Sequence, residues 1–171
     1  MTQMLEPTLK PRLNARKFTV EEFEKLYFAG VLSTDARVEL LDGQVIEFRP
    51  QSDLHKYAVS NYAEIILERY ARRVVVMPQV PLDVNLPHYQ PEPDIAILHP
   101  PKTQYKIRKN HASDVLWLIE VSDSTLEKDR EIKLPIYATA GVPEVWIHNV
   151  GANQLEVYTR PNATEPVPEC V

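Results

Sequence analysis

The sequence predicts an α/β domain in which helices flank a mixed β-sheet. Three observations predict it. Short apolar runs recur along the chain, the purest being Val115-Leu116-Trp117-Leu118-Ile119, and runs this apolar and this short read as strands buried on both faces. Longer stretches carry their apolar residues at a helical period. Most strands are separated by tight turns, but one helical segment follows Ser122, and a helical crossover is how neighbouring strands come to lie parallel.

Each element has its own signal. Thr19 and Glu22 form a capping box, Phe18 is placed as a staple, and Phe23, Leu26 and Tyr27 continue the helix until Gly30 ends it. Asp42-Gly43 between two apolar runs predicts a β-hairpin over 37–48. Asp53 is expected to cap a second helix to about Arg73, with Val59, Tyr62, Ile66 and Tyr70 as its apolar stripe. Val74–Met77 and Val80–Val84 are strand-like, and the prolines among them suggest edge positions or bulges. Asp94–Leu98 is a further strand, and a long polar loop, 99–114, leads into Val115–Ser122.

Ser124-Thr125-Leu126-Glu127 reads as a capping box opening a third helix to about Ala140. Pro135 lies inside it and should kink it near Glu131 or Ile132, and Gly141 closes it. Glu144–His148 and Gln154–Tyr158 are the last two strands. The expected organisation is a flexible leader over 1–17, a single domain over 18–159 and a frayed Pro-rich tail over 160–171.

Composition narrows the function. A chain of 171 residues with 44% hydrophobic and 25% charged residues has enough material for one domain with a real core. No apolar run is long enough to span a bilayer. The leader holds Lys10, Arg12, Arg16 and Lys17 but no apolar core, so it does not read as a secretion signal. Asn162-Ala163-Thr164 is then a chance match to a glycosylation sequon. The single cysteine, Cys170, can form no internal disulfide, and a reducing, cytoplasmic setting is the simplest reading. A net charge of −5 argues against a strong, charge-driven nucleic-acid binder, but not against an enzyme with a local basic surface.

One residue does not fit its strand. Glu120 interrupts the apolar run near its end, and an unpaired buried carboxylate costs roughly several kcal/mol. Asp94 begins the preceding strand. If the two strands pair antiparallel, the two carboxylates meet, and like charges in a partly buried place repel unless a cation or a proton lies between them. Mg²⁺ suits one or two carboxylates plus substrate oxygens, and the Val121 carbonyl could join them. The plainer alternative makes Asp94 a turn residue and Glu120 a strand end meeting water.

Other residues are open in the same way. Lys133 lies four residues after Asp129, which would make an ordinary surface ion pair, yet it shares a helix face with Ile136, Tyr137 and Ala140. From that face it could reach Glu120. Glu39 sits on an apolar hairpin face, as a third site acid or as a partner of Arg37. His55 in the first turn of the second helix is either a packing residue or a proton carrier or phosphate contact.

These residues also carry a resemblance. Val38-Glu39-Leu40-Leu41-Asp42-Gly43, His55, Pro93-Asp94-Ile95-Ala96, Glu120-Val121-Ser122-Asp123-Ser124-Thr125, Asp129, Lys133, Tyr137-Ala138 and Gly141-Val142-Pro143-Glu144-Val145-Trp146 resemble the Uma family of putative restriction endonucleases, in the PD-(D/E)XK nuclease superfamily. The resemblance covers about residues 18–158. It implies a restriction-endonuclease-like core, with the N-terminal helix and hairpin added. It also implies a Mg²⁺-dependent (or Mn²⁺-dependent) endonuclease hydrolysing DNA.

On that resemblance Asp94, Glu120 and Val121 hold metal, Glu39 is a further site acid, and His55 and Asp129 are accessory. The superfamily's Glu-x-Lys lysine should stand at 122, where this chain has Ser122; Lys133 is the expected replacement. Lys102, Lys106, Arg108, Lys109 and His111, and the patch Arg69, Arg72 and Arg73, are candidate contacts to a DNA backbone. A homodimer fits the resemblance. The alternatives are an inactive nuclease fold kept as a DNA-binding or protein-interaction module, and a metal hydrolase acting on RNA or nucleotides.

Overall fold

The computed structural model describes residues 15–160 and the backbone of 169–170. Most of the expected leader, the sequon at 162–164 and most of the Pro-rich tail lie outside the described residues.

A six-stranded sheet is the centre of the fold. Its strands are β3 (Val75–Pro78), β5 (Ile95–Leu98), β7 (Val115–Ser122), β8 (Glu144–Asn149), β9 (Gln154–Thr159) and β10 (Glu169–Cys170), in the spatial order β10-β9-β8-β7-β5-β3. All neighbours are antiparallel except β7 and β8, which run parallel. The parallel pair is joined by the predicted helical crossover, so the sheet is mixed for the reason its connections require. The tail expected to be frayed ends in β10, which gives the otherwise bare edge of β9 a partner.

Strand alternation sorts the core into two layers. Ile95, Ile97, Ile119 and Val121 face helix α2 (Asp53–Tyr70), where Ala58 and Ile66 pack on them. Ala96, Leu98, Leu118, Val145 and Ile147 face the other way, toward Leu134, Ile136 and Tyr137 of the crossover. Glu120 has the parity of Leu118 and so points into the crossover layer.

Helix α1 (Val20–Phe28) starts with the predicted capping box, in which Thr19 and Glu22 each accept a bond from the other's backbone N–H. The hairpin is β1 (Val38–Leu41) and β2 (Gln44–Glu47), turning through Asp42 at φ 49° and Gly43 at φ 72°. Both turn residues have positive φ, the type I′ geometry that Asp-Gly favours. Lys17, at the end of the expected leader, is docked here, with its amine 2.5 Å from Asp42 Oδ1.

Four boundaries differ from expectation. Ser52 caps α2, not Asp53: the Ser52 hydroxyl accepts the His55 N–H at 3.1 Å, and α2 stops at Tyr70 before a 3₁₀ turn over Ala71–Arg73. The strand expected over 80–84 shrinks to β4 (Leu82–Asp83), because Pro81 offers no N–H to a ladder. Its parallel partner β6 (Asn110–His111) lies within the stretch expected to be pure loop, which also holds 3₁₀ turns at Lys102–Lys106 and Ala112–Asp114.

The crossover differs most. Thr125, not Ser124, precedes its first helical residue, and no capping box forms there. The segment runs as α3 (Leu126–Lys128), a π-helical turn over Asp129–Lys133 and α4 (Leu134–Thr139). Pro135 has no N–H for Glu131 and its ring needs room; the widened turn one step before it, closed by Leu134 N–H to Asp129 O, accommodates both demands. The irregularity was predicted at Glu131 or Ile132, and its form is a π-turn. Its effect is to bury both Asp129 and Lys133.

Candidate active site

Antiparallel pairing of β5 with β7 sets Ile95 opposite Ile119, which brings Asp94 beside Glu120. The Asp94 N–H lies 3.4 Å from Glu120 Oε2, and the Val121 N–H donates to Asp94 Oδ2 at 2.8 Å. The other Asp94 oxygen, Oδ1, is 3.1 Å from His55 Nε2. Burial raises the Asp94 pKa; the His55 hydrogen bond, the Lys133 charge and the Val121 N–H outweigh it, and the carboxyl falls below its ordinary value. His55 is held at this spot because the Ser52 cap fixes the first turn of α2. Its Nδ1 is buried and has no partner among the described residues.

Glu120 is 1% exposed and finds its partners on the crossover. Its Oε1 accepts the Tyr137 hydroxyl at 2.5 Å and the Lys133 amine at 2.8 Å. Burial raises its pKa to about 8, with the charges of Asp129 and Asp94 adding to the rise and Lys133 opposing it. Oε2 accepts only the long bond from the Asp94 N–H, at 3.4 Å, and is the less committed oxygen.

Lys133 ties the site together. Its amine also donates to the Glu92 carbonyl at 2.9 Å and lies 3.5 Å from Glu39 Oε2. Glu39, on β1, takes a second cation on its other oxygen, Lys128 Nζ at 2.8 Å, and accepts the Glu92 N–H at 3.2 Å. Burial raises the Glu39 pKa, and Lys133 and Lys128 more than reverse it, so Glu39 is held ionised. The alternative partner considered for Glu39, Arg37, pairs with Glu92 instead, at 3.5 Å.

Asp129 and Lys133 do not form the surface pair that their spacing would allow. Each is 2% exposed. Asp129 Oδ2 accepts the hydroxyls of Ser122 and Thr125, each at 2.7 Å. Ser122, at the position where the superfamily pattern has lysine, thereby anchors the turn that delivers Lys133.

The site opens into a cleft of about 580 Å³ between the hairpin, the first turn of α2 and the crossover. Asp94, Glu120, His55 and Lys133 line its floor, with Arg49 and Lys128 on its walls. Sequence reasoning did not single out Lys128, Arg49 or the Glu92 carbonyl. Tyr137 was placed on the inner helix face without a role; its spacing four residues after Lys133 was the available signal.

The donor set suits a hard cation. Asp94 and Glu120 present adjacent carboxylate oxygens to the cleft, and the buried Glu120 needs positive charge to ionise. Among the described residues no group of three or more His, Cys, Asp and Glu side chains is gathered as a full cage, so a cation here would use these two carboxylates with backbone, water or substrate oxygens.

The expected DNA-contacting cations lie elsewhere. Strand β5 runs away from Asp94, and Lys102, Lys106, Arg108 and Lys109 follow its far end; none lines the cleft. Arg108 is committed to Asp114, at 2.6 and 2.8 Å, and stacks on Tyr105. Lys109 pairs with Glu24, and His111 faces Asp83 at 3.1 Å. Arg69 lies in the last turn of α2 and Arg72 and Arg73 just past its C-terminal end; the helix has 18 residues and its N-terminal turn carries His55. At 1.5 Å per residue that places them roughly 25 Å from the carboxylates. No helix among the described residues is long and apolar enough to cross a membrane.

The fold has a counterpart among solved structures. The chain is similar to the solved structure of a putative nuclease belonging to DUF820 from Anabaena variabilis, with a TM-score of 0.66 and 17% identity over 89% of this chain and 83% of that one. At that identity the likeness establishes a shared nuclease-like fold. A search of curated proteins finds no match. The family model Uma2, described as a putative restriction endonuclease, matches residues 20–169. That match spans β3 to β9 and the residues that line the cleft, and the chain belongs to the Uma2 putative restriction endonuclease family.

Proposed function

We propose that the chain is a Mg²⁺-dependent endonuclease that hydrolyses phosphodiester bonds in DNA. The observation that carries this reading is the meeting of Asp94 and Glu120 at the paired ends of β5 and β7, with the Lys133 amine 2.8 Å from Glu120. Family membership supports the nuclease class.

Asp94, Glu120 and the Val121 carbonyl would hold the cation, and Mn²⁺ would serve in its place. When bound, such an ion supplies a water of lowered pKa and neutralises charge on the scissile phosphate. The protein's own groups do the rest. The Val121 N–H and His55 fix the two oxygens of Asp94, so its carboxylate cannot swing out of the cleft. Lys133 and Tyr137 fix Oε1 of Glu120 and leave Oε2 toward the cleft. Lys133 adds positive charge behind the carboxylates, where it favours an anionic transition state. Glu39 balances Lys133 and Lys128, and Asp129 braces the turn that carries them.

The test is nicking of supercoiled plasmid by the wild type and by Asp94→Asn and Glu120→Gln, with Mg²⁺ or Mn²⁺. We expect metal-dependent nicking by the wild type and a fall of about a hundredfold or more in each variant. Cleavage by either purified variant at the wild-type rate would overturn the site. Wild-type protein that never cleaves and shows no Asp94-dependent Mn²⁺ binding in calorimetry would favour the binding-module alternative.

A further inference from the structure

The cleft contains two lysines with opposite circumstances. Lys133 is 2% exposed, and its amine is surrounded by Glu120 Oε1, the Glu92 carbonyl and Glu39 Oε2. An ammonium has three donors, and the three acceptors around this one all belong to the protein. Lys128 is 24% exposed and touches one acceptor, Glu39 Oε1 at 2.8 Å, with its amine 5.3 Å from the Phe48 ring centre. The residue after Phe48 is Arg49, an exposed cleft residue with no hydrogen bond or ion pair among the described residues. Lys128 and Arg49 are thus the cations of the cleft with donors to spare.

The cleft also carries exposed acids, Glu47 on the hairpin and Asp123, Glu127 and Glu131 on the crossover. A polyanion approaching the carboxylate floor is repelled by these and attracted where Phe48, Arg49 and Lys128 come together. Resting on the nuclease reading above, we infer that the phosphodiester backbone of the substrate is received by Lys128 and Arg49 where the crossover meets the hairpin, with Glu39 holding Lys128 in place, and not by the buried Lys133. Lys133 is then a positioning residue for the two glutamates. Phosphate contacts of this kind set the register of the strand over the site without reading its sequence.

The experiment is fluorescence anisotropy with a short labelled DNA duplex in Ca²⁺, across a range of NaCl, on the full chain. Wild type, Lys128→Met, Arg49→Met, Lys128→Arg and the distant Lys25→Met are compared. Each of Lys128→Met and Arg49→Met should weaken binding about tenfold and flatten the slope of log affinity against log salt by about one. Lys128→Arg should restore most of the affinity, and Lys25→Met should match the wild type. Arg49 is exposed, so its variant reports on contact even if Lys128→Met is poorly folded.

Unchanged affinity and salt slope in Arg49→Met and a folded Lys128→Met, alongside wild-type binding and Mg²⁺-dependent nicking, overturns this inference alone. Weakened binding in both, alongside an Asp94→Asn protein that nicks like the wild type, overturns the assigned metal site and leaves the role of Lys128 and Arg49 standing. A wild type that neither binds nor nicks the duplex overturns both.

Discussion

The Lys133 amine lies 2.8 Å from Glu120 Oε1, and each side chain is 2% exposed. The two come from either end of the connection between parallel strands: Glu120 leaves β7 and Lys133 returns over it on the crossover. The pair is therefore a statement about the fold as much as about the site. If the π-turn is altered, the lysine leaves the carboxylate.

Replacing Lys133 by Met should be among the most damaging single changes. It takes from Glu39 and Glu120 the buried cation they share, and breaking a buried pair from one side costs about 3–5 kcal/mol. Urea denaturation should show a loss of that size. The double variant Lys133→Met/Glu120→Gln should recover part of it, because the stranded charge is gone.

Tyr137→Phe removes only a hydroxyl from a fully buried position. The lost bond to Glu120 Oε1 should lower stability by about 1–2 kcal/mol, the usual size for a hydrogen bond to a charged or partly charged acceptor. If Tyr137 positions Glu120, the same variant should also bind Mn²⁺ several-fold more weakly in calorimetry. A purely packing role would leave that affinity unchanged.

A second buried acid makes a pH-dependent prediction away from the cleft. Glu156 on β9 accepts Arg130 Nε at 2.9 Å and the Tyr158 hydroxyl at 2.7 Å. The Arg130 hydrogen bond holds its carboxyl below the ordinary 4.5, against the effect of burial. A carboxyl whose pKa is lowered on folding stabilises the native state above its unfolded pKa, and that contribution is lost as pH falls through the lowered value. Glu156→Gln should thus cost about 1 kcal/mol at pH 7 and progressively less in acid. Thermal unfolding at a series of pH values would show the two curves converge on the acid side; parallel curves would contradict the assignment.

Gly43→Ala tests the hairpin. Gly43 has φ +72°, and an added Cβ would overlap Lys17, whose amine is bonded to Asp42. Strain at a positive φ plus that overlap should lower stability by about 1–3 kcal/mol. Asp42→Asn, which tolerates the same conformation, should lose only the charge that faces Lys17 and the Tyr89 hydroxyl and cost less than half as much. Denaturant midpoints for the two variants compare these effects.

Local physics made much of the fold legible. Asp42-Gly43 announced its hairpin because only residues tolerant of positive φ close a type I′ turn. Thr19 and Glu22 announced the start of α1 because a capping box satisfies its N–H groups within four residues. Val115–Ser122 announced a buried strand through its own composition, and Glu120 stood out there because a lone carboxylate in such a strand demands a partner. Asp94 could be matched to it as soon as the two strands were assumed to be antiparallel.

What the sequence could not supply is where charges are neutralised. The i, i+4 spacing of Asp129 and Lys133 allowed a surface ion pair as well as a reach from Lys133 to Glu120, and the π-turn before Pro135 buries both, Asp129 on two hydroxyls and Lys133 on Glu120 and Glu39. The basic stretch 102–109 offered candidate backbone contacts; it follows the far end of β5, outside the cleft, and Arg108 is bound to Asp114. Glu39 and Lys128, 89 positions apart, meet through packing of the hairpin against the crossover. Turns, caps and strands follow from interactions over a few residues, and one chain segment carries all the information for them. The partner of a buried charge is chosen by the relative placement of whole elements, and only the assembled sheet and its two helical layers decide that.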